Sequence, residues 1–122
     1  MGIEALIQTI KTHPEYAKAG MILCHNGVVR STSRDGKAVT GLRVAVDHEK
    51  LQHIIAARKQ DAGIIEILVE IKEGQNLAVG DDVMYLVVAG DIREHVLSTL
   101  ETTLNAIKTT VTDKTEFFKN SR

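Results

Sequence analysis

Four apolar segments of strand length, in two pairs separated by a stretch with helical periodicity, constrain the fold of this chain most strongly. They are rich in Val and Ile and are bounded by glycine or polar residues, which is typical of β-strands. In one of them the apolar residues alternate with Arg43 and Ala45, so we expect a strand with one covered face. Another contains Asn26-Gly27, where a bulge is expected. The four predicted strands cover residues 20–30, 39–46, 64–71 and 82–90.

Three further segments carry apolar residues at the spacing of amphipathic helices. Asp47 and Asp91 each precede one of them and are predicted N-caps, and Gly63 follows the end of the second. The tail from residue 109 onward is polar apart from Val111 and two phenylalanines, and we assign no element to it. The predicted helices cover residues 3–11, about 48–60 and about 92–109.

The order of these elements is helix, two strands, helix, two strands and helix. The economical arrangement is an α+β fold with one mostly antiparallel sheet and helices packed on it. The 122 residues suffice for one domain, and we therefore predict a single domain over residues 1–122.

Composition excludes several classes of function. Aromatic residues make up 3% of the chain and the formal net charge is −1, which argues against nucleic-acid binding by stacking or by bulk charge. No apolar run reaches the length of a membrane helix, and the N-terminal residues do not have the pattern of a signal peptide. A single cysteine, Cys24, fits a reducing compartment. These features predict a cytoplasmic protein that binds neither nucleic acid nor membrane.

The histidines and the cysteine do not form a metal-binding pattern. Cys24 and His25 are adjacent, and on a strand their side chains point to opposite faces. His48 and His53 are five residues apart, which does not place them on one helical face. No spacing matches a zinc site, and we predict no metal. Cys24 lies in an apolar run and is interpreted as a small hydrophobic residue.

Basic residues in two regions are the candidates for an anion site. None of the glycine-rich nucleotide-binding motifs is present. Taken alone, basic residues in loops are usually solvated surface charges. Arg93 is different because it opens a predicted helix, whose free N–H groups favour anions. The basic residues in question are Arg30, Arg34 and Lys37 around the first loop, and Arg93, Lys108 and Lys114 near the last helix.

The order of several motifs resembles one known family. Residues 27–30, "GVVR", end a strand before a loop, and residues 72–81 place Gly74, Leu77 and Gly80 before a Val-rich strand. A helix opening with Ile92-Arg93 then carries Lys108 near its end. This pattern, over about residues 20–118, resembles the large, catalytic subunit of molybdopterin synthase.

The resemblance implies an α/β hammerhead-like fold, a homodimer and a role in molybdenum cofactor biosynthesis. In that family a small ubiquitin-like carrier presents a thiocarboxylate at its C-terminal Gly-Gly. Its sulfur is transferred to cyclic pyranopterin monophosphate, forming the molybdopterin dithiolene. No cofactor and no metal is implied. By this resemblance the catalytic residues are Lys108 and Lys114, and the substrate-binding residues are Arg30, Arg93, Arg34 and Lys37.

The chain departs from the family pattern at several positions. Ile92 replaces the histidine that precedes the arginine, and Ala45-Val46-Asp47 replaces a Glu-His-Tyr group. Residues 110–115 replace a Pro-aromatic-Trp-Lys segment, with Lys114 one place early. These departures leave a second hypothesis open, in which the chain is a non-catalytic pterin-binding, anion-binding or regulatory homologue that kept the fold and the dimer.

Overall fold

The computed structural model describes residues 2–119. The helices and strands follow in chain order, and a short 3₁₀ turn lies between the first two. They are α1 (Ile3–Lys11), β1 (Met21–Val28), β2 (Val39–Val46), α2 (His48–Arg58), β3 (Ile64–Ile71), β4 (Leu77–Ala78), β5 (Asp82–Gly90), α3 (Arg93–Ala106) and β6 (Thr112–Phe118). A π-helical turn, Ile107–Val111, joins α3 to β6. None of the helices in this part of the chain is both long and apolar enough to cross a bilayer.

The fold class is the predicted α+β arrangement, but the strands form two sheets instead of one. The first has the order β1-β5-β3 and the second the order β4-β2-β6, and every pairing is antiparallel. The difference involves β2, which does not belong to the first sheet. Instead, β2 pairs with the C-terminal tail, where Val44 lies opposite Lys114.

The central strand β5 explains why the first sheet is the core of the molecule. Leu86, Val87 and Val88 are completely buried, because helices cover both faces of the strand. Val87 packs with Ile10 of α1, and Val88 packs on the other face with Val96 of α3. Full burial of such a side chain contributes about 1.5–3 kcal/mol. The continuous apolar run of β5 is therefore the signature of a strand buried on both faces.

Local signals placed most boundaries correctly. The predicted bounds of α1, β2, β3 and β5 are confirmed, and the bulge near Gly27 is a register shift between Gly27 and Val28. The Asp47 carboxylate accepts a hydrogen bond from the Lys50 backbone N–H at 3.1 Å, so it caps α2 as predicted. Gly63 has a positive φ of 75°, a conformation that glycine adopts without strain, and this ends the turn after α2.

The predicted cap at Asp91 is wrong by one residue. The N-cap of α3 is Ile92, and it makes no side-chain cap hydrogen bond. The Asp91 carboxylate lies 2.7 Å from Nδ1 of His95 and accepts from the Ile92 N–H at 2.6 Å. The hydrogen bond with His95 is the main reason that the pKa of Asp91 is lowered. Asp91 therefore stabilises the first turn of α3 from just outside it.

The end of α3 and the tail also differ from the prediction. The α-helix ends at Ala106, and the chain widens into the π-helical turn that carries Lys108. The tail then forms β6, which the sequence did not reveal because its apolar alternation is weak. One face of β6 is occupied by Lys114 and Glu116, which border a polar cavity and not the core. β6 is therefore a strand held by its pairing with β2, without the hydrophobic pattern that identifies buried strands.

Candidate functional site

A cavity of about 640 Å³ opens between the end of β1, the β1–β2 connection and β6. Its walls are mainly polar and carry four basic side chains and one carboxylate. The basic residues are Arg30, Arg34, Lys108 and Lys114, and the carboxylate belongs to Glu116. Three positive charges are thus left uncompensated around a space large enough for a phosphorylated small molecule. Four of the six predicted site residues come together here.

The β1–β2 connection is a closed hairpin, and its shape fixes Arg34 at the cavity. An isolated bridge joins Thr32 to Ala38, and the Ser33 N–H donates to the Lys37 carbonyl at 2.9 Å. Gly36 has a positive φ of 85°, as the predicted Asp35-Gly36 turn requires. A short hydrogen bond from the buried Ser33 hydroxyl to the Asp35 carboxylate is the main cause of the lowered pKa of Asp35.

Arg30 follows the last residue of β1 and is anchored by the same hairpin. Its Nε donates to the Thr32 carbonyl at 2.8 Å, while Val29 beside it is buried in the core. The valine is buried and the arginine is exposed because the alternation of side chains along β1 continues past the bulge. The guanidinium is thus held at the edge of the cavity by a backbone acceptor.

Lys108 and Lys114 reach the cavity from the π-helical turn and from β6. Lys114 lies opposite Val44 and Glu116 lies opposite Leu42, on the inward face of the second sheet. Within residues 2–119 the side chains of Lys108 and Lys114 make no hydrogen bond or ion pair. Both ammonium groups are therefore available to a ligand.

A second, smaller cavity of about 340 Å³ lies beside the first and has mainly apolar walls. Arg34, Lys108 and Lys114 border both cavities. The apolar side chains belong to the space between the two sheets and are Val44, Ile71, Val83, Met84 and Ile107. Apolar walls with a low dielectric strengthen the attraction between these cations and a bound anion.

Two of the predicted site residues lie outside this cavity. Arg93 is exposed, with its Nε 3.8 Å from the Glu94 carboxylate. It follows the end of β5 that pairs with Met21, whereas Arg30 follows the other end of β1. A strand of nine residues spans roughly 27 Å, so one chain does not bring Arg93 and Arg30 together. The expectation that Arg93 forms a wall of the Arg30 pocket is thus not met within a single chain.

Lys37 lies on the hairpin but points away from the cavity lining. Its ammonium is 3.8 Å from the Asp35 carboxylate and 5.8 Å from the centre of the Phe118 ring. Arg34, three residues earlier, borders both cavities. The hairpin therefore separates two basic residues that the sequence had placed in one group.

Glu116 is a site residue that sequence reasoning missed, and the buried Nε2 of His25 is a second feature that it did not foresee. Glu116 was part of a tail without an assigned strand, so its inward position could not be derived. His25 was considered only as a possible partner of Cys24, and the two do lie on opposite faces of β1, with Cys24 exposed. Burial, together with the positive charge of Lys108, lowers the pKa of His25. In the part of the chain that the structure covers, no three His, Cys, Asp or Glu side chains are grouped as metal ligands would be.

The fold and the site define a small α+β protein with a cationic cavity. Residues 2–110 match the sequence model of the family described as MoaE protein, so the chain belongs to the MoaE family. This is the family of the catalytic subunit of molybdopterin synthase, a sulfurtransferase of molybdenum cofactor biosynthesis. The predicted family and function are thereby confirmed. No match was found among curated proteins.

Solved structures show the same fold at low sequence identity. Molybdopterin synthase from Staphylococcus aureus is 20% identical with a TM-score of 0.80, covering 99% of this chain and 88% of that chain. Molybdopterin cofactor biosynthesis protein E from Burkholderia multivorans is also 20% identical, with a TM-score of 0.76 and coverage of 98% and 82%. A complex of subunits 1 and 2 of the molybdopterin-converting factor from Helicobacter pylori contains a chain that is 15% identical, with a TM-score of 0.71 and coverage of 100% and 86%.

Proposed function

We propose that the basic cavity binds cyclic pyranopterin monophosphate and is the place where sulfur is transferred to it. The observation that carries this proposal is the convergence of Arg30, Arg34, Lys108 and Lys114 on one cavity. Arginine suits a bidentate grip on phosphate, and the two arginines lie together at the hairpin. The two lysines, which also border the apolar cavity, are assigned to the reacting centre.

The proposed chemistry needs fixed positive charge more than it needs a cofactor. Attack by a thiocarboxylate and breakage of its carbon–sulfur bond build negative charge on oxygen and sulfur. Lys108 and Lys114 stabilise this charge, and Lys108 also serves as the general acid–base. The thiocarboxylate sulfur bonds to a side-chain carbon of the pterin as an oxygen substituent leaves that carbon, and water then hydrolyses the thioester so formed. The sulfur stays on the pterin, and the carrier leaves with a carboxylate in place of the thiocarboxylate. Two such transfers complete the dithiolene.

The proposed sulfur donor is a small ubiquitin-like protein with a C-terminal Gly-Gly. The Helicobacter pylori relative was solved as a complex of two different subunits, which supports a protein partner for this chain. An extended Gly-Gly tail has no side chains, so it can enter a narrow space beside the lysines. The location proposed for both proteins is the cytoplasm.

A homodimer is proposed as the assembly, and it gives Arg93 a role. Arg93 lies at the far end of the sheet from Arg30 within one chain. If Arg93 binds substrate in the same cavity as Arg30, it must therefore be delivered by a second copy of the chain. This can be tested by mixing an Arg93→Ala chain with an Arg30→Ala chain. Recovery of activity in the mixture is expected for shared sites, and no recovery would contradict them.

The function is tested in a reconstituted reaction with a thiocarboxylated carrier and the pyranopterin substrate. We expect dithiolene formation by the wild type and a loss of at least about a hundredfold in kcat for Lys108→Ala. Lys18→Ala is the matched control, because Lys18 is exposed and pairs with Glu15 away from the cavity. Undiminished product formation by Lys108→Ala would refute the catalytic role.

The non-catalytic alternative makes a different prediction in the same experiment. A binding homologue would retain pyranopterin phosphate or the carrier tail and form no product. No observation favours this alternative, since the departures at Ile92 and residues 110–115 leave Lys108 and Lys114 at the cavity.

A further inference from the structure

We propose that His25 is a positioning residue for Lys108, with its buried Nε2 as the internal acceptor for the Lys108 ammonium group. The sequence pattern gives His25 no role, and the proposed mechanism does not use it. The contact itself stands independently of the proposed function, whereas its catalytic consequence rests on that function.

The environment of Nε2 is unusual for a histidine in a sheet. The atom is buried and has no hydrogen-bond partner among the described residues. It lies beside Gly27, where a side-chain Cβ would come within 3.4 Å of it. Its cross-strand neighbour is Leu86, which is completely buried in the core. An apolar side chain at this position would leave no polar atom unpaired. The buried imidazole nitrogen is a polar atom, so it requires a hydrogen-bond partner.

Lys108 is placed to be that partner. It borders the larger cavity together with Val28, three residues beyond His25 on the same strand. It also borders the smaller cavity together with Met84, the cross-strand partner of Gly27. Lys108 therefore lies along the strip of the sheet that carries His25. The ammonium group offers three donors, and none is used within residues 2–119.

Electrostatics makes the pair complementary. Burial and the charge of Lys108 both lower the pKa of His25. A neutral imidazole with its proton on Nδ1 presents a lone pair at Nε2, which accepts from an ammonium group. The tautomer follows from the proposal and is one of its tests.

The consequence is a lysine with two defined orientations. In one, the ammonium points into the open cavity. In the other, the side chain folds toward the sheet and donates to His25. The π-helical turn at Ile107–Val111 leads Lys108 out of α3 next to this strip, and such turns are frequent at functional sites. Holding the ammonium near the reacting centre reduces the number of side-chain conformations that must be lost in the transition state.

The contact is tested by nitrogen NMR of the whole protein labelled at histidine. We expect His25 to be neutral at pH 7 with its proton on Nδ1. Lys108→Met should raise the pKa of His25 and change its Nε2 resonance, whereas Lys114→Met, which removes an equal charge from the same cavity, should have a clearly smaller effect. An unchanged His25 in Lys108→Met, or an equal response to both variants, would overturn the contact.

The positioning role is tested by the turnover of two His25 variants. His25→Gln keeps an acceptor near the position of Nε2, and His25→Leu removes it. We expect His25→Leu to lower kcat roughly tenfold with little change in KM, and His25→Gln to restore most of the rate. Equal losses in both variants, or no loss in His25→Leu, would overturn positioning. An inactive wild type would refute the proposed function, and the NMR result would still decide the contact.

Discussion

Arg34→Gln and Lys37→Gln each remove one positive charge, at positions three residues apart. Comparing the two variants shows whether the position of the charge matters for anion binding. Both residues lie on the hairpin between β1 and β2, and the sequence placed both in the substrate site. In the structure only Arg34 borders the cavities, while Lys37 is paired with Asp35. We expect Arg34→Gln to weaken anion binding and Lys37→Gln to leave it nearly unchanged.

The expected loss of binding free energy for Arg34→Gln follows from Coulomb's law. Two unit charges at about 6 Å in a solvent dielectric of about 80 interact by about 0.7 kcal/mol. The phosphate of the cyclic monophosphate is a diester with a single negative charge at neutral pH, so its binding is weakened by about 0.7 kcal/mol when Arg34 is removed. This corresponds to binding that is about threefold weaker. For Lys37, which lies outside the cavity and beside a carboxylate, we expect a change below about twofold.

The measurement is calorimetric titration with cyclic pyranopterin monophosphate at low ionic strength, repeated at higher salt. The difference between the two variants should shrink with added salt, because the Debye length is only about 10 Å at 0.1 M. Equal weakening by both variants would refute the reasoning. It would show that the net charge of the hairpin matters and that the position of each side chain does not.

Three further predictions concern stability and are measured by urea unfolding. Because the pKa of His25 is lower in the folded protein, the unfolded chain binds more protons, and stability should fall as the pH drops below about 6.5. His25→Leu should reduce that slope, and an unchanged slope would contradict the assignment. Asp47→Ala should lower the unfolding free energy by about 1 kcal/mol through loss of the α2 cap, and exposed Asp113→Ala should not. Leu86→Ala should cost about 2–5 kcal/mol because it leaves a cavity in a fully buried strand, and a loss below about 1 kcal/mol would contradict the packing.

Much of the fold could be predicted because the signals are local. The alternation around Arg43 and Ala45 sets β2, the Asp47 carboxylate caps α2, and the apolar run at residues 82–90 marks a strand buried on both faces. Each of these depends on residues within a few positions of one another. The resemblance to the MoaE family added the roles of the basic residues, which spacing alone would have left as surface charges.

Other features were beyond the sequence because they depend on pairing between distant segments. β6 has weak apolar alternation, and its strand character comes from pairing with β2, about 70 residues earlier in the chain. Without β6, neither the division into two sheets nor the inward position of Glu116 could be predicted. The Asp91 cap was misplaced for a local reason instead, because its carboxylate interacts with His95, four residues further along the chain.

For the site, the sequence by itself supplied the residue types and the approximate place of each along the chain. It predicted Arg30 at the end of a strand and Lys108 at the end of a helix, because both positions follow from local periodicity. Only the tertiary structure showed that Arg34 borders the cavity whereas Lys37 does not. It also showed that Arg93 lies at the far end of the sheet and that His25 lies on the same side of the sheet as Lys108. The physical reason is that charge and hydrogen bonding act over a few ångströms in space, and folding alone decides which residues come within that distance.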